Sequence, residues 1–259
     1  MEYRRTKEMK VSVKKVYGYE GAMRSLYMSK GHLSEELEEE IDDICSVALD
    51  RNGRFITEYG DNEYVNVAKA ARFDLIMQKI LKFGRRHITM LKFINFDILT
   101  RDIHRAGQDD IDAHAERFDN RIIRLSTRLA SVDELGKRSD YYEGKIKTDA
   151  EILIDAGIIA RCPDEYIDKN GLHWVKTVNG YVLDEFKDDK DVKRGLYMLS
   201  LPSSFTAQIS LAQFAHVYKC RNMKSGANPE VKEWAEAVAD ELQKFYPGFT
   251  KELLLEIDN

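Results

Sequence analysis

The chain has 259 residues, with 40 Lys and Arg against 45 Asp and Glu, giving a formal net charge of -5. That acidic balance argues against non-specific binding to DNA or RNA, and the 43% hydrophobic share is enough for a core, which excludes a disordered tail. Length alone permits one large domain or two small ones. Cys45, Cys162 and Cys220 are scattered without CxxC spacing, so neither a disulfide framework nor a zinc site is expected. The charged N-terminus and the lack of a long apolar run point to a cytoplasmic protein without signal peptide or membrane span.

In chain order, Val11 to Tyr19 reads as an opening strand. Ser34 and the acids after it start a helix, with a capping hydroxyl and negative charge at the positive end of the helix dipole. Leu37, Ile41, Ile44 and Ala48 form its apolar stripe. A second helix is predicted from Glu63 to Lys82, stopping at Gly84. Lys92 to Leu99 alternates, with Ile94, Phe96 and Ile98 on one face, and is predicted to be a strand. The spacing of Ile111, Ala115, Phe118, Ile122 and Leu125 predicts a helix from Asp109 to Ser126. Gly171 to Glu185 reads as a hairpin turning at Asn179-Gly180. Asp188 to Leu199 is predicted to be helical, with Val192, Leu196 and Leu199 inward. The last predicted helix is capped by Asn228 and carries Pro229 in its first turn. It buries Val231, Trp234, Ala235, Val238, Leu242 and Phe245, and ends at Pro247-Gly248. No repeat or Gly/Ser-rich linker divides these elements, so a single α+β domain spanning residues 1–259 is expected.

One charged residue breaks an apolar pattern. Leu211, Phe214, Val217 and Tyr218 recur at three- and four-residue steps, and Arg221 continues that stripe. A guanidinium directed inward needs an anion, because an unpaired buried charge is costly. Spacing leaves open whether an internal carboxylate or an anionic ligand supplies it. Arg117, Arg121, Arg124 and Arg128 fall at steps of one helix face, which is either a solvated face or a phosphate-binding one. Gly136-Lys137-Arg138 offers backbone N–H groups and two cations to an oxyanion, without the spacing of a Walker loop. No HxxxH or HExxH spacing links His32, His87, His104, His114, His173 and His216, so no metal site is expected. Covalent catalysis by Ser or Cys has no motif to support it.

The segment Arg128 to Arg138, together with His216 to Phe245, resembles the flavin-dependent thymidylate synthases. The likeness is best where Arg221 ends one helix and Ala227-Asn-Pro-Glu-Val-Lys-Glu-Trp opens the next. Ala22 to Ser29, His87-x-Thr89 and Val192-Lys-Arg194 look like further family segments. The signature segment departs from the family: Ser126-Thr127 stand where Arg-His is usual, while Ser131, Glu134 and Arg138 match. Ser210 and Ala212 stand where the family has asparagine and arginine near the flavin.

This resemblance implies an α+β fold with a mixed or antiparallel sheet flanked by helices. It implies an enzyme that transfers a one-carbon unit from methylenetetrahydrofolate to C5 of dUMP or a related pyrimidine deoxynucleotide, using FAD reduced by NADPH, in a homotetramer. Arg221 would stabilise charge developing on the uracil. Glu134, Gly136, Lys137, Arg138 and Arg194 would hold the nucleotide with it, and Ser29, His87, Thr89, Arg128 and His216 would face the flavin. The altered flavin positions support a second reading, a nucleotide-binding homologue that has lost flavin chemistry and acts as a regulatory or structural assembly.

Overall fold

The computed structural model describes residues 9–57, 63–113, 121–124, 149–177, 180–188, 201–223 and 228–257. Two compact units make up the chain. The larger comprises Val11–Thr100, Asp110–Ile123 and Phe205–Asn259, and the smaller Met1–Lys10, Arg101–Asp109 and Arg124–Ser204.

Strand β1 (Lys10–Tyr17) leads into helix α1 (Tyr19–Met28) through Gly18. Gly18 has φ 89°, and a Cβ there would lie 1.9 Å from the Phe93 carbonyl oxygen. Both the backbone conformation and the close approach require glycine. Gly18→Ala is therefore expected to destabilise the fold by about 1–3 kcal/mol or more, read as a lower midpoint in urea unfolding; an unchanged midpoint would refute the packing.

Helix α2 (Glu35–Ala48) begins as the sequence predicts, with Ser34 Oγ accepting the Leu37 N–H at 3.3 Å. Ile41, Ile44 and Ala48 are buried, and Cys45 beside Ile44 shares the inward face. Burial, reinforced by Glu20 and Asp42, pushes the Cys45 thiol up to about 12, so it stays protonated and inert. Helix α3 (Glu63–Gly84) lies against α2, with Lys69–Asp43 at 2.8 Å and Arg72–Glu40 at 3.1 Å at its rim. These exposed pairs contribute little compared with Phe73, Ile76, Met77 and Ile80, all fully buried.

A 3-10 turn (Ile88–Lys92) follows, and then strand β2 (Asn95–His104). The predicted strand from Lys92 thus starts later and runs further, although Ile94, Phe96 and Ile98 are fully buried as expected. Helix α4 (Arg105–Asp112) is shorter than the helix predicted over Asp109 to Ser126, and Arg121–Arg124 forms strand β3 instead. Ile122-Ile123 is a β-branched pair that finds a ladder beside strand β7 (Pro202–Ser210), in a sheet of order β1-β2-β7-β3. A short apolar run fits either period, and pairing with β7 decides it. The helical period behind the stripe Arg117, Arg121, Arg124, Arg128 does not hold across residues 121–124; Arg117 and Arg128 lie outside the described residues.

In the smaller unit, helix α5 (Asp149–Asp155) precedes strand β4 (Glu165–Ile167), β5 (His173–Lys176) and β6 (Tyr181–Leu183). The predicted hairpin is present, with Val175 opposite Val182 and the Thr177 N–H donating to the Gly180 carbonyl at 2.6 Å. Strand β4, which the sequence reading did not foresee, adds Tyr166 opposite Trp174. The predicted helix over Asp188 to Leu199 lies outside the described residues but for Asp188.

Helix α6 (Leu211–Met223), α7 (Pro229–Gln243) and α8 (Lys251–Glu256) complete the larger unit. Asn228 Oδ1 accepts the Glu230 N–H at 3.1 Å and Pro229 opens α7, as its sequence dictates. Trp234 sits in full burial between Phe205 and Phe214, and its Nε1 donates to Thr100 Oγ1 at 2.9 Å. Helix α7 is not the last. After Pro247-Gly248 the chain turns into α8, where Thr250 Oγ1 accepts the Leu253 N–H at 3.1 Å.

Candidate functional site

The first turns of α6 are buried all round, from Leu211 through Ala215, so they belong wholly to the core. Ser210 Oγ caps this helix by accepting the Gln213 N–H at 3.2 Å. Only the last turn opens, and Lys219, Cys220, Arg221 and Asn222 are half-buried there. The one-sided stripe expected of α6 is therefore a helix buried on every side that emerges at its C-terminal end. The polar groups of this helix at or near the open end are His216, Lys219, Cys220, Arg221 and Asn222, whereas Gln213 is buried and the Tyr218 hydroxyl donates to Glu236 Oε1 at 2.9 Å.

Arg221 lies in the last turn, with Leu211, Phe214, Val217 and Tyr218 buried behind it as predicted. Its Nη2 donates to the Asp110 carbonyl oxygen at 2.9 Å, in the last turn of α4. A cation suits a helix C-terminus, where carbonyl groups concentrate partial negative charge. This contact fixes the guanidinium against the last turn of α4. The Asp112 carboxylate oxygens and Arg221 Nε are buried as well.

Of the residues assigned to a flavin, Ser29 lies at the end of α1, His87 and Thr89 at the 3-10 turn, and His216 on α6 itself. Ser29 ends α1, exposed, with Oγ donating to the Leu26 carbonyl at 2.8 Å. His87 and Thr89 are exposed at the start of the 3-10 turn, which packs against α1, α3 and α6. The His87 ring stacks on the partly exposed Phe83 ring, with centroids 4.5 Å apart. His216 is half-buried on α6, and its Nε2 lies 3.6 Å from Cys220 Sγ. That pair, four residues apart, follows directly from helical spacing, a signal distinct from the HxxxH and HExxH spacings of metal sites. Glu134, Gly136, Lys137, Arg138, Arg194 and Arg128 lie outside the described residues.

For a bound flavin, Ser29, His87 and Thr89 are exposed residues and so open to a ligand. Ser210 is committed to capping α6, and Ala212 is fully buried, so neither offers a surface to a ring system. Among the described residues no group of His, Cys, Asp and Glu is placed to hold a metal ion. Nor is any helix among them long and apolar enough to cross a membrane.

No family model matches the chain, and no curated protein does. Its structure is similar to that of the flavin-dependent thymidylate synthase ThyX from Helicobacter pylori complexed with FAD and dUMP, with TM-score 0.52 and 12% identity over 96% of this chain and 100% of that one. The fold is that of a flavin-dependent thymidylate synthase. A second Helicobacter pylori ThyX structure with FAD and dUMP aligns with TM-score 0.47 and 11% identity, over 95% of this chain and 99% of that one. The UMP/dUMP methylase PolB from Streptomyces cacaoi, bound with 5-Br dUMP, aligns with TM-score 0.49 and 13% identity, over 96% and 95%. The α+β fold expected from the resemblance is the fold observed, with helices and two sheets, the pairing in β4-β5-β6 being antiparallel.

Proposed function

We propose that this chain is a divergent flavin-dependent thymidylate synthase-like enzyme that methylates C5 of dUMP or a related pyrimidine deoxynucleotide. The observation that carries this reading is Arg221, held half-buried at the open end of α6 by the Asp110 carbonyl, in a chain of this fold. Arg221 stabilises negative charge on the uracil carbonyls as C5 becomes nucleophilic, an oxyanion-type contribution. Glu134, Gly136, Lys137, Arg138 and Arg194 are assigned to the sugar-phosphate and base, with arginine forks suited to phosphate oxygens. Ser29, His87, Thr89, Arg128 and His216 are assigned to FAD. The flavin, reduced by NADPH, supplies the hydride when bound, and methylenetetrahydrofolate supplies the carbon. A homotetramer in the cytoplasm completes this reading. Cys45 plays no nucleophilic part, because burial keeps its thiol protonated.

A second reading has its own support. The capping role of Ser210 and the full burial of Ala212 remove two flavin-side positions, which favours a nucleotide-binding homologue without flavin chemistry. One experiment separates the two. Purified protein is titrated with FAD, followed by its visible absorbance, and with dUMP by calorimetry; tritium release from C5-labelled dUMP is then assayed with NADPH and methylenetetrahydrofolate. Flavin uptake with tritium release is expected for the enzyme. Binding of dUMP with no flavin uptake identifies the second reading. Absence of binding by either ligand overturns both.

A further inference from the structure

The last turn of α6 holds a buried polar group beside Arg221 whose role the fold does not explain. Both polar atoms of the Asn222 amide are buried, and neither meets a hydrogen-bond partner among the described residues. A buried amide without partners is rare in folded proteins and destabilises the chain that carries it, so such a group calls for an explanation. A structural role would show itself as a cap, a turn or a cross-helix hydrogen bond. Polar side chains elsewhere in this unit that have such roles display them: Ser210 caps α6 at its start, and Asn228 caps α7. Asn222 also follows directly on the arginine whose guanidinium is anchored on α4.

An amide offers one acceptor and two donors in a plane. Its complement is a planar group with an N–H flanked by a carbonyl oxygen, which is the N3–H and C4=O (or C2=O) edge of a uracil-type base. We infer that Asn222 is the base-reading residue of the nucleotide site, with Oδ1 accepting from N3–H and Nδ2 donating to a ring carbonyl. This inference rests on the pyrimidine-nucleotide reading given above and deepens it. Arg221 meets the charge that develops on the base, and Asn222 fixes the base edge and so favours rings that carry an N3 proton. The amide is satisfied by the ligand, so the free protein carries the strain that the complex relieves.

Calorimetric titration of dUMP and of its N3-methyl analogue into wild-type protein, Asn222→Ala and Asn222→Asp tests this, alongside the Tm of each ligand-free protein. Wild type is expected to bind dUMP about tenfold or more tighter than the N3-methyl analogue, the scale of one well-made polar contact. Asn222→Ala is expected to lose about tenfold in dUMP affinity, to treat the two nucleotides alike, and to keep or raise the Tm. Asn222→Asp, which retains an acceptor but no donor, should fall between them in discrimination. Unchanged affinity and discrimination in Asn222→Ala overturns the inference while leaving the nucleotide reading standing. A Tm several degrees lower in both variants makes the amide a structural group and also overturns it. If wild type itself binds neither nucleotide, the nucleotide reading fails and the inference fails with it.

Discussion

Arg221→Lys is expected to lower C5 tritium release by about 10²–10³-fold, the loss typical when one pre-organised donor is removed from a developing oxyanion. Lysine keeps the charge but not the planar fork, so it cannot hold the Asp110 carbonyl and a ring carbonyl together in fixed geometry. FAD uptake, measured by absorbance, is expected to stay at the wild-type level because the flavin is assigned to other residues. Near-normal turnover in Arg221→Lys would remove Arg221 from the chemistry. A loss of turnover accompanied by a loss of folded structure in circular dichroism would instead make it a tether between α6 and α4.

The second large effect concerns the core behind that site. Trp234→Ala is expected to cost about 3–5 kcal/mol, the range for deleting a fully buried aromatic side chain. Set against a total stability of about 5–15 kcal/mol for a typical protein, this leaves little margin. Urea unfolding followed by circular dichroism measures it, and a cost near zero would show that the contacts of Trp234 with Phe205, Phe214 and Thr100 are not made in solution. Trp234→Phe keeps much of the packing but removes the Nε1 donor, leaving the buried Thr100 hydroxyl without it. Its expected cost is smaller, about 1–3 kcal/mol.

Elements whose ends are written in local chemistry were legible in the sequence. Ser34 before a run of acids, and Asn228-Pro229 before a clean apolar stripe, carry their own start signals, and α2 and α7 begin where those signals lie. The hairpin around β5 and β6 was legible for the same reason, through its turn residues. Strand β3 was not, because Ile122-Ile123 satisfies a helical period as readily as a strand. Its pairing beside β7 depends on a segment some eighty residues later in the chain, roughly the separation at which local pattern carries no information. Helix α8 was missed because six residues make too short a window for periodicity.

At the candidate site the division is similar. The sequence by itself singled out Arg221, since a charge on an apolar stripe is visible without coordinates, and it supplied the family likeness through the Ala227-Asn-Pro-Glu segment. It also shows that Cys45, Cys162 and Cys220 are scattered without CxxC spacing. Only the tertiary structure decided that α6 is buried all round at its start and open at its end, that Arg221 is fixed by a main-chain carbonyl of α4, and that the Asn222 amide is buried without a partner among the described residues. The physical reason is that spacing reports the direction of a side chain from its own helix. What that side chain meets is set by which other elements pack there, and burial of a polar group is a property of the assembled fold.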